Sequence, residues 1–418
     1  MHLVRSPRRR RVARLAVLVL AASLLSGLAV AAQAPDTQAP AALREALQAA
    51  WQHHPSYRAT EAQLAAARAR YDAAGRPLYN PEVELAGDDE GPDRTTTAGL
   101  NLTLDLSGKR RVRRDAASAR VDQATAEAKL RRRDFAKQWF ASWAELQTAQ
   151  QRVRTGERRL ALVTRFGELA QKQFAAADIS GLERDLALLA RDEAQAQQSQ
   201  LVAEQAEAEA RFRAVGGAPE LLASLTLPSD ALPAPMAPQT GIEQLPDWQA
   251  AQAAALAAER EVTVARRNRV ADPTVGVRGG RIDYGNVQDN VVGVSVSIPL
   301  FVRNSYRAEV VAAQADADVA VAEAERVRVE LDADRRRAID SYAAAQSAWS
   351  RWQASRGTDV ERRANLLERL WREGELSTAD YLLQRKQTLD TQLAGAELDA
   401  RLRRSYNDYL AATGTRGR

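Results

Sequence analysis

Between Lys109 and Phe174 the chain has no proline and only two glycines, Gly156 and Gly167, in a stretch dominated by Ala, Glu, Gln, Arg and Leu. Such a run predicts one continuous helix. At about 1.5 Å per residue it would reach about 100 Å, longer than any compact domain needs. Trp139, Leu146, Val153 and Leu160 recur at intervals of seven, the seam of a coiled coil rather than the face of a globular core. A tight turn at 175–181 and a second helical run from Leu182 to Val215 make this a helical hairpin with its tip near Ile179 and Ser180. Aromatic residues are only 5% of the chain, which suits long helices better than a thick core.

Immediately before the long run, Leu100, Leu102, Leu104 and Leu106 alternate with Asn101, Thr103 and Asp105. A period of two places the leucines on one face of a strand and the polar groups on the other. Ser107 and Gly108 then turn the chain into the helix. The event recurs at 293–307, where Val294, Val296, Ile298 and Leu300 alternate with Ser295, Ser297 and Pro299 ahead of another long helical run. Further landmarks keep the same order: Asn80-Pro81 matches Asp272-Pro273, Ser142-Trp143-Ala144 matches Ser341-Tyr342-Ala343, and Ile179-Ser180 matches Leu376-Ser377. The chain therefore reads as two copies of one unit, each a helix, a β-hairpin and a long helical hairpin.

The expected organisation begins with a signal peptide at 1–31. Its basic end holds six arginines, its apolar segment runs from Leu15 to Val30, and small residues at 29–32 offer a cleavage site. The first repeat spans 32–215, with strands at about 82–88 and 97–106 flanking a polar loop and the helical hairpin at about 109–215. A Pro-rich linker covers 216–246. The second repeat spans 247–412, with strands at about 274–282 and 291–300 and a helical hairpin at about 306–410, and 413–418 form a tail. Removing six arginines and no acid with the signal takes the formal charge from +5 to −1. The basic balance thus belongs to the targeting segment and argues for no nucleic-acid partner. The sequence has no cysteine, so a lipid anchor through that residue is not expected. After the signal no run of 18 apolar residues occurs, so an exported chain of this kind is soluble or inserts as a β-barrel.

Catalytic chemistry is not legible. His53 and His54 are adjacent, about 100° apart on a helix, and so are not the i, i+4 pair of a helical zinc site. After the signal, Met236 is the only soft ligand. No enzyme activity, cofactor or resident metal is expected.

In Asn80-Pro81-Glu82-Val83-Glu84-Leu85, Leu104-Asp105-Leu106-Ser107-Gly108-Lys109-Arg110 and Ser297-Ile298-Pro299-Leu300-Phe301-Val302-Arg303-Asn304, the sequence resembles the TolC family of outer membrane efflux proteins. Within it the details resemble the CzcC-like branch, associated with cobalt, zinc and cadmium efflux. The likeness extends over nearly all of the chain beyond the signal. It implies a mainly α fold with a small β part, in a homotrimer whose protomers each give four strands to a twelve-stranded outer membrane barrel continued by a periplasmic α-helical tunnel. The implied function is a passive efflux conduit working with a periplasmic adaptor and an inner membrane pump of the resistance-nodulation-division type. Multidrug or other small-molecule export, or a periplasmic coiled-coil scaffold, are the alternative readings.

The resemblance also assigns places. Leu100, Leu102, Leu104, Leu106, Val294, Val296, Ile298 and Leu300 would face lipid, while Asn101, Thr103, Asp105, Ser295 and Ser297 would line the pore. Asp380 falls on a position that in the family forms an acidic ring at the periplasmic entrance, and a second such position reads Leu383. Glu183 matches a residue that pairs with a base of the neighbouring inner helix. That basic position reads Leu376, leaving Arg372 or Arg184 for the task. Ile179, Ser180, Gly181, Leu376 and Ser377 would meet the adaptor.

Overall fold

The computed structural model describes residues 41–91, 93–222, 232–236, 241–356 and 359–414. The expected signal peptide, the tail from 415 and part of the linker lie outside the described residues. The elements run α1 (Ala41–His53), α2 (Pro55–Ala74), β1 (Glu82–Glu90), β2 (Asp93–Thr103), α3 (Lys109–Ala175), α4 (Gly181–Ala214), a single turn α5 (Pro219–Leu222), α6 (Pro246–Asn268), β3 (Thr274–Tyr284), β4 (Gln288–Ser297), α7 (Arg307–Arg356), α8 (Asp359–Arg372) and α9 (Thr378–Thr413). Helix α3 is 67 residues long, as the proline-free run predicts.

Pro55 separates α1 from α2 because it supplies no N–H to a continuing helix, and the Nδ1 of His54 accepts from the Ser56 N–H at 3.2 Å to start the second one. His53 donates from Nδ1 to the Ala49 carbonyl at 2.8 Å. Both histidines thus serve a helix end. The long helices are joined by aromatic knots, one per copy. In the first, Trp139, Trp143 and Phe212 pack with Phe135, Trp51 and Leu43. In the second, Tyr342 gathers Leu402, Tyr406 and Tyr409. Trp143 and Tyr342, equated by the sequence repeat, are 3% and 0% exposed. The linker residues 232–236 are pinned over the second knot: Tyr342 Oη donates to the Pro233 carbonyl, and the Met236 N–H donates to Tyr409 Oη at 3.1 Å.

The four strands form one antiparallel sheet in the order β1-β2-β3-β4. Its central pairing, β2 with β3, joins the two copies from Thr103↔Thr274 to Asp93↔Tyr284. Two expectations are corrected here. The polar stretch expected as a loop after residue 88 is mostly strand, because Thr95, Thr96 and Thr97 are β-branched and the outer part of the sheet is polar on both faces. In β1 the strand runs on through Asp88 and Asp89 to Glu90. At the other end β2 stops at Thr103 and β4 at Ser297, so Leu104, Leu106, Ile298 and Leu300 lie beyond the ladders.

Strand β2 stops there because Asp105 is engaged elsewhere. Its carboxylate accepts from the backbone N–H groups of Lys109 at 2.7 Å and Arg110 at 2.8 Å, capping α3. Burial pushes its pKa up, but the N–H groups of Arg110, Lys109 and Gly108 and the Lys109 charge outweigh that and hold it below the ordinary value. Beside the cap, Lys109 Nζ meets Asp272 Oδ2 at 2.9 Å with both side chains buried, 8% and 2% exposed. Tyr79 Oη donates to the same oxygen at 2.9 Å. Removing one member of a buried pair strands the other charge. Asp272→Ala is therefore expected to destabilise the protein by about 3–5 kcal/mol, and Lys109→Met combined with Asp272→Leu by much less. Chemical denaturation followed by circular dichroism measures both.

Candidate channel ribbon and helix tips

The register sorts the sheet into cross-strand rows. Val83, Leu100, Val277 and Val294 form one; Leu102, Val275 and Val296 another; Leu85, Ala98, Gly279 and Val292 a third. These rows share one face, and it is open: Val83 is 74% exposed, Leu85 78% and Val292 85%. The opposite face carries Glu82, Asn101 and Ser295 in one row, Glu84 and Arg278 in the next, and Asp88, Thr95 and Asp289 further out. Asn101 Nδ2 donates to Glu84 Oε2 at 2.9 Å. The expected polar residues Asn101, Thr103, Ser295 and Ser297 stand on this face, whereas Asp105 is the helix cap. The Glu-Val-Glu-Leu alternation of β1 places Glu84 on this face, whereas Arg278 of β3 comes beside it only through the register. The strands are 9, 11, 11 and 10 residues long, the length that crosses a bilayer when tilted, about 9–11 residues.

At the far end of α3 and α4, and of α8 and α9, the two copies build the same turn. Asp178 N–H donates to the Gln173 carbonyl at 2.8 Å and Ala177 N–H to Phe174 at 3.0 Å; Glu375 donates to Leu370 at 2.9 Å and Gly374 to Trp371 at 3.1 Å. This is the Schellman pattern, with a left-handed residue at its corner. That residue is Gly374 at φ 76° in the second copy but Ala177 at φ 62° in the first.

The helices that leave these turns start with matching caps. Ser180 Oγ accepts from the Glu183 N–H at 3.2 Å, while Glu183 Oε2 accepts from the Ser180 N–H at 2.8 Å, a capping box. In α9 Ser377 Oγ accepts from the Asp380 N–H at 3.1 Å and donates to Asp380 Oδ2 at 2.7 Å. The two expected entrance acids, Glu183 and Asp380, are thus equivalent residues of one motif, both exposed. The S-x-x-E and S-x-x-D spacings carried that signal.

Around the tips, Arg184 lies over the Phe174 ring, 4.2 Å from its centre, and pairs with Asp185. Arg372 pairs with Glu368. Neither arginine meets Glu183 within one chain. Leu376 is half-buried against Phe166, Trp371 and Tyr381, whose ring centres lie 4.8–5.3 Å apart and tie the second tip to α3. Ser180 and Ser377 are exposed at the turns, Ile179 and Gly181 are half-buried, and Leu383 is exposed. Among the described residues no group of three or more His, Asp or Glu is placed to hold a metal ion, and no helix is long and apolar enough to cross a membrane.

This architecture is that of known outer membrane channels. A membrane protein from Pseudomonas aeruginosa superposes with a TM-score of 0.72 at 19% identity, over 90% of this chain and 94% of that one. The CmeC outer membrane channel of Campylobacter jejuni gives 0.73 at 15% identity, over 90% and 86%. The chain thus has the fold of the TolC-like outer membrane channels. In sequence it is similar to the cobalt-zinc-cadmium resistance protein CzcC of Cupriavidus metallidurans, 29% identical over 234 residues. That match takes in 55% of this chain and 56% of the relative, little more than half its length. No protein-family model matches the chain.

The turn geometry fixes opposite effects for two exchanges. A non-glycine residue in the left-handed region costs roughly 1–2 kcal/mol, so Ala177→Gly is expected to slow hydrogen exchange at the first tip and Gly374→Ala to speed it at the second. The hydrogen bonds from Ser180, backbone first and hydroxyl second, hold the Glu183 pKa below its ordinary value. A depressed carboxylate contributes stability that is present above its unfolded pKa and fades as pH falls through the folded one. Protection of the first α4 amides, taken relative to their intrinsic exchange rates, is therefore expected to fall on acidification below the ordinary carboxylate range, and Glu183→Gln to flatten that dependence.

Proposed function

We propose that this protein is the outer membrane conduit of an efflux system, acting as a homotrimer. Three ribbons close into a twelve-stranded barrel and the long helices continue as a tunnel into the periplasm. The observation that carries the reading is the ribbon itself: four strands of membrane-crossing length, one face apolar and open over the rows from Leu102 to Ala98 and charged only further out toward the hairpin tips, as at Asp89, Arg94 and Arg281, the other face polar, with both edges open. An unpaired edge is not tolerated in lipid, and four strands cannot close a barrel alone. The apolar rows built on Leu100, Leu102, Val294 and Val296 face lipid in this reading. Leu104, Leu106, Ile298 and Leu300 form the band where strand gives way to helix.

The likeness to a cobalt-zinc-cadmium resistance protein supports heavy-metal cations as the cargo. Transport energy then comes from an inner membrane pump, joined through a periplasmic adaptor that meets the tips at Ile179, Ser180, Gly181, Leu376 and Ser377. Asp380 lies just past the second tip and would place three carboxylates around the threefold axis, where they favour cations.

The purified protein in planar bilayers is expected to give a defined single-channel conductance; its absence would sink the conduit reading. Asp380→Asn keeps an acceptor for Ser377 and removes the charge, so block by multivalent cations should weaken while the fold stays intact. Unchanged block would take Asp380 out of the entrance.

A further inference from the structure

The polar face of the ribbon is cleared around one arginine. Arg278 sits in the row Glu84–Gly99–Arg278–Gly293, with a glycine on either side of it. Its side chain leans over the edge strand β4: a Cβ at Gly293 would stand 2.8 Å from Arg278 Nε and 3.1 Å from Cγ. No hydrogen bond or ion pair holds the guanidinium among the described residues, and the side chain is exposed. At the other edge of the sheet, the same face of β1 carries Glu82, Glu84, Asp88 and Glu90, with only Ala86 between them uncharged.

The internal repeat says how these two edges would meet. Asn80-Pro81 and Asp272-Pro273 set β1 against β3 at an offset of 192, and Leu104 and Ile298 set β2 against β4 at an offset of 194. The β2–β3 pairing inside the chain is therefore a template for β4 against the β1 of a second copy. Asn101↔Gly276 becomes Ser295 opposite Glu84, Gly99↔Arg278 becomes Gly293 opposite Ala86, and Thr97↔Gly280 becomes Val291 opposite Asp88. On the other face the same register sets Val296 beside Val83 and Val294 beside Leu85, continuing the apolar rows without a break. Arg278 then reaches over Gly293, and the small Ala86 beyond it, between two carboxylates.

We infer that each seam between copies is closed in this register and that Arg278 bridges it, pairing with Glu84 and Asp88 of the neighbouring copy. The inference rests on the trimeric conduit reading and adds to it a register and an ion-pair partner. A charge pair on a polar face sets register and rejects slipped alignments.

The sequence holds no cysteine, so disulfide trapping in the full-length, membrane-extracted protein tests the register. Ser295→Cys with Glu84→Cys is expected to give a covalently linked trimer on oxidation, and Ser295→Cys with Asp88→Cys, two rows away, is not. Within one chain β1 and β4 lie at opposite edges of the sheet, so a link reports a seam. A link from the second pair, or none from the first in a protein that is trimeric by mass, overturns the register and leaves the conduit reading standing. A monomer by mass overturns both. Arg278→Glu is expected to lower the temperature at which the trimer dissociates, and adding Glu84→Arg and Asp88→Arg to restore it; an unmoved dissociation temperature overturns the ion pair.

Discussion

The contact on which this architecture turns is the buried pair of Lys109 and Asp272. Lys109 is the first residue of α3, and Asp272 stands two residues ahead of β3, in the other copy of the repeat. Their 2.9 Å contact fixes the start of the longest helix against the strand that carries the second hairpin. Tyr79, just before β1, donates to the same carboxylate, and Ser107 approaches it at 3.4 Å. Three segments, the approaches to β1 and β3 and the β2–α3 junction, pass through one polar knot, which a low-dielectric setting makes costly to leave half-made. The β2–β3 ladder begins a few residues away, where the Leu104 N–H still donates to the Pro273 carbonyl at 2.9 Å. Sheet and helices are therefore held in one orientation by paired polar groups, since the apolar clusters lie further along the helices.

That junction explains why the two halves of each unit obey different rules. On the sheet side the apolar residues point outward and the ribbon has no core of its own. On the helix side Trp139, Trp143 and Phe212, or Tyr342 and its neighbours, are buried in ordinary knots. A chain with one apolar surface turned out and another turned in has two environments, and the handover must be marked by groups content in neither. Asp105, Lys109 and Asp272 do this by satisfying one another and the first N–H groups of α3.

Much of this was legible in the sequence because it is periodic. Heptads, alternation and duplication each identify an element from many residues at once. What stayed hidden depended on single side chains. Asp105 looks like one more polar member of the alternation in 100–106, yet two orphan N–H groups of α3 claim it, and the strand ends. The tract 88–97 reads as a loop by composition, polar on both faces, but its β-branched threonines suit a strand and its second half pairs with β3 through the ladder that runs on to Asp93↔Tyr284. Glu183 and Asp380 were found through resemblance as entrance residues, while the S-x-x-E and S-x-x-D patterns that fix their place in the chain passed unused. Arg278 was missed because its meaning lies in the glycines beside it, and those become neighbours only through the register.

The tips add a last constraint. The two turns share a backbone, yet their surroundings differ: the first copy keeps Arg184 on the Phe174 ring in the open, while the second buries Tyr381, at 1% exposure, against Trp371 and the Phe166 of α3. Separating the second tip from α3 must expose three rings, whereas the charges nearby, Glu183, Arg372 and Asp380, already stand in solvent. Exposed charges are screened by salt and buried apolar contacts are strengthened by excluded salts. The ring packing that holds the second tip to α3 and the exposed charges around it thus respond to salt in opposite directions, the first strengthened by excluded salts and the second screened.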